Sequence, residues 1–245
     1  MPDAKFSDAR LAPLYDQFEG SRVDLNAYLA MLVEFAPPGA LTVGTLLDVG
    51  CGTGTFALMA AALGVRVTGV DPSSASIEVA RTKAGADAVA WTHGTVADAP
   101  AGPFDLAVMT GNVAQVFLTD QDWLATLTAI RDRLHPTGRL VFETRRPEAR
   151  AWEQWGGPSV ASHTFPGVGL VTTRGLGVRV HLPQVSFAES YEFPDGTVLT
   201  SESTLRFRDA ADNRGLLQQA GFRVVEVREA PDRPGLERVY VATPA

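Results

Sequence analysis

Five residues set between a short apolar run and an alanine-rich stretch, Gly50-Cys51-Gly52-Thr53-Gly54, constrain this chain more than any other feature. The run before them, Thr45-Leu46-Leu47-Asp48-Val49, reads as a buried strand. The stretch after them, 55–63, reads as a helix ended by Gly64. Glycines at this density let backbone approach a ligand closely, and the helix that follows opens with unpaired N–H groups. Strand, glycine loop and helix in that order belong to an open parallel sheet. Ligands of such sheets sit at the carboxyl ends of the strands, near the point where strand order reverses.

The same alternation continues. Residues 65–70, 88–92, 104–109 and 139–144 read as further strands, with helices over about 73–84 and 123–134 and a turn at His135-Pro136-Thr137-Gly138. Ser73, Ser74 and Asp71 are candidate caps for the helix at 73. Short apolar strands alternating with helices predict a parallel sheet covered on both faces, with right-handed crossovers. After about residue 150 the alternation stops, and 168–180, 184–193 and 197–207 read as antiparallel ribbon, with a hairpin signal at Phe193-Pro194-Asp195-Gly196-Thr197. A helix over about 210–220, ended by Gly221, and strands over 222–227 and 236–242 resume the pattern. Ahead of the sheet, 8–18 and 25–35 read as helices; the second presents Leu25, Tyr28, Leu29 and Leu32 on one face and ends at Pro37-Pro38-Gly39. The expected fold is α/β: one domain over 41–245, an antiparallel β insertion at about 150–208 after the fifth strand, and an N-terminal helical lid over 1–40.

Bulk properties exclude several classes. The 245 residues are 45% hydrophobic, enough for a sizeable core, and the formal charge is −7 with no basic run longer than Arg145-Arg146. An acidic chain repels phosphate backbones, so nucleic acid is not an expected partner. Cys51 is the single cysteine, which excludes an intrachain disulfide and fits a reducing compartment. No apolar run reaches the roughly 18 residues of a membrane span, and Met1-Pro2-Asp3-Ala4-Lys5 does not resemble a secretory signal. A cytoplasmic monomer or homodimer without a membrane partner is expected; the exposed edges of the insertion are where two subunits would pair. His93, His135, His163 and His181 lack metal-ligand spacing, and no metal is expected.

The competing reading of the glycine loop is the dinucleotide fingerprint Gly-x-Gly-x-x-Gly. Here the third glycine comes one position early, and Asp48 at the strand end suits an ammonium and a sulfonium better than a pyrophosphate. A nicotinamide oxidoreductase is disfavoured accordingly. Asp71 ends the second strand, where a carboxylate accepts hydrogen bonds from ribose hydroxyls in either cofactor class. Together, Leu47-Asp48-Val49-Gly50-Cys51-Gly52-Thr53-Gly54 and Gly69-Val70-Asp71-Pro72-Ser73 resemble the class I S-adenosylmethionine-dependent methyltransferases of small-molecule type, over about 46–144 and, by pattern, the last two strands.

That resemblance implies a Rossmann-like seven-stranded sheet whose last strand is antiparallel, and it assigns roles by position. Gly50, Cys51, Gly52 and Gly54 pass under the methionine and ribose of S-adenosylmethionine, and Asp48 lies near the loop and the ammonium. Asp71 holds the ribose hydroxyls and Pro72 touches the adenine. Thr95 stands where the family often has an acid for the adenine amino group, so Thr95 and Val96 are placed there, with backbone atoms or Asp98 left to recognise the base. Thr110 and Asn112 follow the fourth strand near the transferable methyl. The segment is not Asn-Pro-Pro-Tyr, which favours a small-molecule acceptor. Tyr15, in Tyr15-Asp16, resembles a lid tyrosine closing over the methionine end.

No catalytic residue stands out. Tyr15, Asn112, His163 and His181 are candidates, and Glu143, Trp152 and Trp155 are candidates for contact with the acceptor. Each has a plainer reading: packing aromatics, surface histidines, Asp48 or Asp71 as caps, Cys51 as a small filler. The expected function is methyl transfer to an N, O or C atom of a small molecule. Aminopropyl transfer from the same pocket is the alternative, although Met109-Thr110-Gly111-Asn112 lacks the acids it usually needs. A non-catalytic cofactor sensor is the other alternative.

Overall fold

The computed structural model describes residues 3–155 and 159–245; Met1, Pro2 and, in the expected insertion, 156–158 lie outside the described residues. The chain opens with α1 (Ala4–Ser7), a 3-10 turn (Ala12–Leu14) and α2 (Tyr15–Glu19). The single helix expected over 8–18 is therefore broken. The Asp8 carboxylate accepts the amides of Arg10 at 2.7 Å and Leu11 at 3.3 Å, a local bonding pattern that competes with a helix. Helix α3 (Asn26–Glu34) forms where expected and buries Tyr28, Met31 and Leu32.

There follow β1 (Thr45–Val49), α4 (Thr55–Ala62), β2 (Arg66–Asp71), α5 (Ser74–Thr82), β3 (Val89–His93), β4 (Phe104–Met109), α6 (Asp120–Arg131) and β5 (Leu134–Arg145). Ser73 is the cap of α5, its hydroxyl accepting the Ser76 amide at 3.1 Å. Thr119 caps α6, so that helix starts earlier than its apolar residues suggest. The turn expected at 135–138 is instead an irregularity within β5, where the register to β4 jumps from Phe104↔Leu134 to Leu106↔Arg139. Four strands come next, β6 (Val160–Phe165), β7 (Gly169–His181), β8 (Gln184–Glu192) and β9 (Val198–Arg206), and then α7 (Ala210–Gln219), β10 (Phe222–Glu229) and β11 (Glu237–Pro244). The expected ribbon thus gains a strand, β6. In β6 only Phe165 is buried, so no apolar alternation marks it.

The main sheet has seven strands in the order β10-β11-β5-β4-β1-β2-β3. Strands β1 to β5 pair in parallel, and β11 runs antiparallel between β5 and β10. Strand order reverses between β1 and β4, which opens a crevice at their carboxyl ends. Alternate residues face opposite sides of a sheet. Leu47, Val49, Met109 and Phe142 pack under α6 and α7 on one face. Leu46, Leu106, Val108 and Val141 pack under α3 and α4 on the other. By that parity Asp48 and Glu143 share the α3 face.

The second sheet is antiparallel, in the order β6-β7-β8-β9. Leu11 and Leu14 of the N-terminal segment pack on its Phe165, Val171, Tyr191 and Phe193. Among the described residues no helix is long and apolar enough to cross a membrane.

Candidate active site

At the end of β1 the chain turns sharply. The amides of Gly50 and Cys51 both donate to the Val70 carbonyl, at 2.8 and 3.1 Å. Gly50, Gly52 and Gly54 take φ values of +71°, +53° and +80°, a region that side chains strain to enter. A Cβ on Gly50 would lie 2.7 Å from Val113, and one on Gly54 2.4 Å from the Trp91 ring, whereas Gly52 faces open space. The outer glycines serve packing, and the middle one leaves room for a ligand.

Asp71 braces this loop. Its Oδ2 accepts the Gly52 amide and its Oδ1 the Ser73 amide, both at 2.8 Å. Burial raises its pKa, opposed by those two amides. Each oxygen keeps a further lone pair for another donor. Asp48 is 1% exposed, and neither of its carboxylate oxygens has a hydrogen-bond partner. Burial, followed by the charge of Asp71, pushes it up to about 7. An orphaned buried carboxylate is costly unless a donor or cation joins it. Together with an open loop and an acid ending the next strand, it fits a ligand carrying an ammonium and a ribose, as S-adenosylmethionine does. Burial also pushes the Cys51 thiol well above its ordinary range, which suits a filler rather than a nucleophile.

The N-terminal segment lies across the same loop. Asp16 accepts the hydroxyls of Thr53 at 2.6 Å and Thr55 at 3.2 Å and pairs with Lys83 at 2.5 Å. The Phe6 carbonyl accepts from Ser73 at 2.6 Å and Ser76 at 2.9 Å. Tyr15 packs on Phe6 with centroids 5.2 Å apart, and burial raises its phenol so that it stays neutral. The segment also reaches the second sheet, through the Lys5 amide on Ser201 at 2.9 Å and an Asp3–Ser203 hydrogen bond. Sequence reading singled out Tyr15 and missed Asp16, the residue that ties the segment to the loop.

After β3, Thr95 and Asp98 form a reciprocal cap around Val96: Asp98 accepts the Thr95 amide at 2.8 Å and its hydroxyl at 3.0 Å. The Asp98 carboxylate is engaged in its own turn, and the Pro72 carbonyl lies 3.2 Å from His93 Nε2.

After β4, Thr110 is half-buried and Asn112 fully buried, the latter at φ +62°. The Asn112 amide donates to Glu143 Oε1 at 3.0 Å, and its Nδ2 to Glu237 Oε1 at 3.2 Å. Glu237 also holds Arg233 at 2.8 Å and Arg145 at 3.6 Å. Arg145 continues to Gln115 at 3.0 Å and lies over the Trp155 ring. Of the sequence candidates, this network gathers Asn112, Glu143 and Trp155. It adds Glu237 and Gln115, which no local pattern marked. Trp152 packs edge-on to Phe207 in a cluster with Val185, and Trp155 packs against the same cluster. His163 is exposed and meets Phe18 edge-to-face; His181 is exposed at the β7–β8 hairpin, opposite Gln184. Neither histidine joins the network. No group of metal-binding side chains occurs among the described residues.

Comparison with known proteins bears on the family and the fold. The family model described as a methyltransferase domain matches residues 22–227. The ribosomal protein L11 methyltransferase of Burkholderia mallei is 30% identical over 124 residues, 50% of this chain and 38% of that protein. The chain therefore spans well under half the length of the curated relatives it matches. A solved S-adenosylmethionine-dependent methyltransferase from Clostridium acetobutylicum is similar with a TM-score of 0.76 at 16% identity, covering 96% of this chain and 98% of that one. The sugar N-methyltransferase KedS8 from Streptoalloteichus is similar with a TM-score of 0.75 at 18% identity, covering 94% of this chain and 92% of that one. At these identities the structural likeness is one of fold.

Proposed function

The chain belongs to the class I S-adenosylmethionine-dependent methyltransferase family, whose domain model spans 22–227, and from that premise we propose that it transfers the methyl group of S-adenosylmethionine to an N, O or C nucleophile of a small molecule. The observation that carries this reading is the Asp48 carboxylate, buried without a donor, at the foot of a loop whose Gly52 faces open space. In this reading Asp48 takes the ammonium of the cofactor and Asp71 its ribose hydroxyls, while Gly52 lets the ligand lie against backbone. The bound sulfonium supplies an electrophilic methyl group. What remains for the protein is to align the acceptor and exclude water, and positioning of that kind supplies about 7–11 kcal/mol.

Enclosure supports a small acceptor. The N-terminal segment bridges α5 and β9 through Phe6, Lys5 and Asp3. Gln115, just beyond β4, donates to the Arg206 carbonyl of β9 at 3.5 Å. The second sheet is thereby held at the end of the main sheet where the loop lies. KedS8 is a sugar N-methyltransferase by name, which supports including amino sugars among the acceptors tested.

The test is calorimetry with S-adenosylmethionine and S-adenosylhomocysteine, followed by transfer of a labelled methyl group to a panel of amines, alcohols and amino sugars, with ribosomal protein L11 as a competing acceptor. Cofactor binding and label in a small molecule are expected. Affinity for a nicotinamide dinucleotide instead, or label in the protein alone, defeats the reading.

A further inference from the structure

Glu143 lies near the carboxyl end of β5 on the α3 face at 4% exposure. Its Oε1 accepts the Asn112 amide, its Oε2 makes no hydrogen bond, and the Tyr28 phenol lies beside the carboxylate. No lysine, arginine or histidine among the described residues forms an ion pair with it; Arg145 and Arg233, the cations at hand, are held by Glu237. Asn112 spends its Nδ2 on Glu237 and leaves Oδ1 without a donor, at 2% exposure. Two hydrogen-bonded neighbours thus each keep a free, buried acceptor oxygen, one of them on a carboxylate without a counter-ion. Such an arrangement is costly until a cationic donor joins it.

The ammonium of the cofactor does not account for it. Asp48 is on β1, which pairs with β4, and β4 pairs with β5. Two strand spacings separate the two carboxylates, roughly 10 Å across the sheet. A single ammonium group cannot meet both.

We propose that Glu143 and Asn112 receive a protonated primary or secondary amine of the methyl acceptor, which makes the chain an N-methyltransferase. The inference rests on the methyltransferase reading above. Glu143 Oε2 takes one proton from the acceptor ammonium. The freed nitrogen lone pair forms the N–C bond as the C–S bond breaks, with that bond's electron pair staying on sulfur. The product departs as a methylated ammonium, and the proton on Glu143 passes to water. Burial, with the charge of Glu237 behind it, holds Glu143 at about 7 against the pull of Tyr28 and the Asn112 amide, so both of its protonation states are populated at neutral pH. Tyr28, Glu237, Arg145 and Arg233 are the ionisable groups that face it.

The experiment is calorimetric titration of the full chain, loaded with S-adenosylhomocysteine, using two matched pairs: glucosamine against glucose, and cyclohexylamine against cyclohexanol. At least one amine is expected to bind about ten-fold or more tighter than its alcohol, the usual size for a charge-assisted hydrogen bond. Glu143→Gln should abolish that preference and leave S-adenosylhomocysteine affinity within about two-fold; Asn112→Ala should weaken amine binding by a smaller factor. Glu143→Gln removes a buried charge, so its fold should persist, and a melting curve checks this. An undiminished amine preference in Glu143→Gln overturns the proposal, as does a wild-type protein with no such preference. A loss of S-adenosylhomocysteine affinity in Glu143→Gln assigns the carboxylate to the cofactor and also overturns it. A wild-type protein that binds no S-adenosylhomocysteine removes the methyltransferase reading itself, a failure separate from the other three.

Discussion

The amide of Gly52 donates to Asp71 Oδ2 at 2.8 Å, so the carboxylate that would meet the ribose also sets the position of the glycine loop. Replacing Asp71 by Ala removes the loop brace, the Ser73 contact and the ribose acceptor together. Replacing it by Asn keeps the shape but turns one acceptor oxygen into a donor that faces a backbone N–H. Both variants should lose S-adenosylhomocysteine affinity by about 10- to 100-fold, the scale of one or two charged hydrogen bonds. Calorimetry on folded protein reads this directly, and equal affinity in Asp71→Ala would remove Asp71 from the site.

Asp16 holds the N-terminal segment against the loop through Thr53, Thr55 and Lys83. The Asp16 side chain is 33% exposed, so its ion pair is screened and contributes little to stability. The hydroxyl contacts are what register the segment over the glycine loop. Asp16→Ala should therefore lower the melting temperature by no more than a few degrees while speeding the release of bound S-adenosylhomocysteine by roughly ten-fold. Stopped-flow displacement measures the release rate; an unaltered rate would show that the segment does not retain the ligand.

Two carboxyls at this end of the sheet, Asp48 and Glu143, sit at about 7 in the folded chain, against about 3.9 and 4.3 when unfolded. A raised carboxyl binds its proton more tightly in the folded state. Between about pH 4 and pH 7 the folded chain then carries more protons than the unfolded one, and its stability falls as pH rises through that window. Glu34, held low by Arg228, works in the other sense: its contribution is lost as pH falls below about 4. The melting temperature of the ligand-free protein should peak at about pH 4 and decline toward pH 7. Asp71 and Arg22 face Asp48, while Tyr28, Glu237, Arg145 and Arg233 face Glu143, and each variant leaves these in place. The double variant Asp48→Asn, Glu143→Gln should flatten the decline. A slope as steep as that of the wild type would show that neither group titrates in this range.

Local pattern carried the strand, loop and helix of 45–63 because every determinant there is adjacent in sequence: apolar run, glycines, alanine-rich helix. It also carried the place of Asp71, at the end of an apolar strand. It failed where partners are distant. Asp16 and Thr53 are 37 positions apart, and Asn112 and Glu237 are 125 apart. No periodicity reports such a pair, so Asp16, Gln115 and Glu237 went unmarked. Glu143 was marked by its position at a strand end, but its missing counter-ion became visible only once Arg145 and Arg233 were seen to be held by Glu237. Strand β6 escaped for another reason: five of its six residues are exposed, and only Phe165 marks a buried face.

Gly52 and Gly54, two positions apart in one loop, should respond to alanine differently. Both hold positive φ, which strains an L-residue by about 1–2 kcal/mol. At Gly54 the added Cβ would also lie 2.4 Å from Trp91 Cη2, and Trp91 is anchored by its indole N–H on the Ala86 carbonyl at 3.0 Å. Overpacking of that kind costs a further 1–3 kcal/mol or so. With about 2–4 °C per kcal/mol at this chain length, Gly54→Ala should lower the melting temperature by roughly 4–20 °C. At Gly52 the methyl group meets nothing within 4 Å. Gly52→Ala should lower the melting temperature by only about 2–8 °C, yet reduce S-adenosylhomocysteine affinity by about ten-fold or more, because the methyl stands where the ligand must approach backbone. Melting curves and calorimetry on the two variants decide it. Full affinity in Gly52→Ala, or equal melting losses in both, would mean that the open side of the loop is not where the cofactor lies.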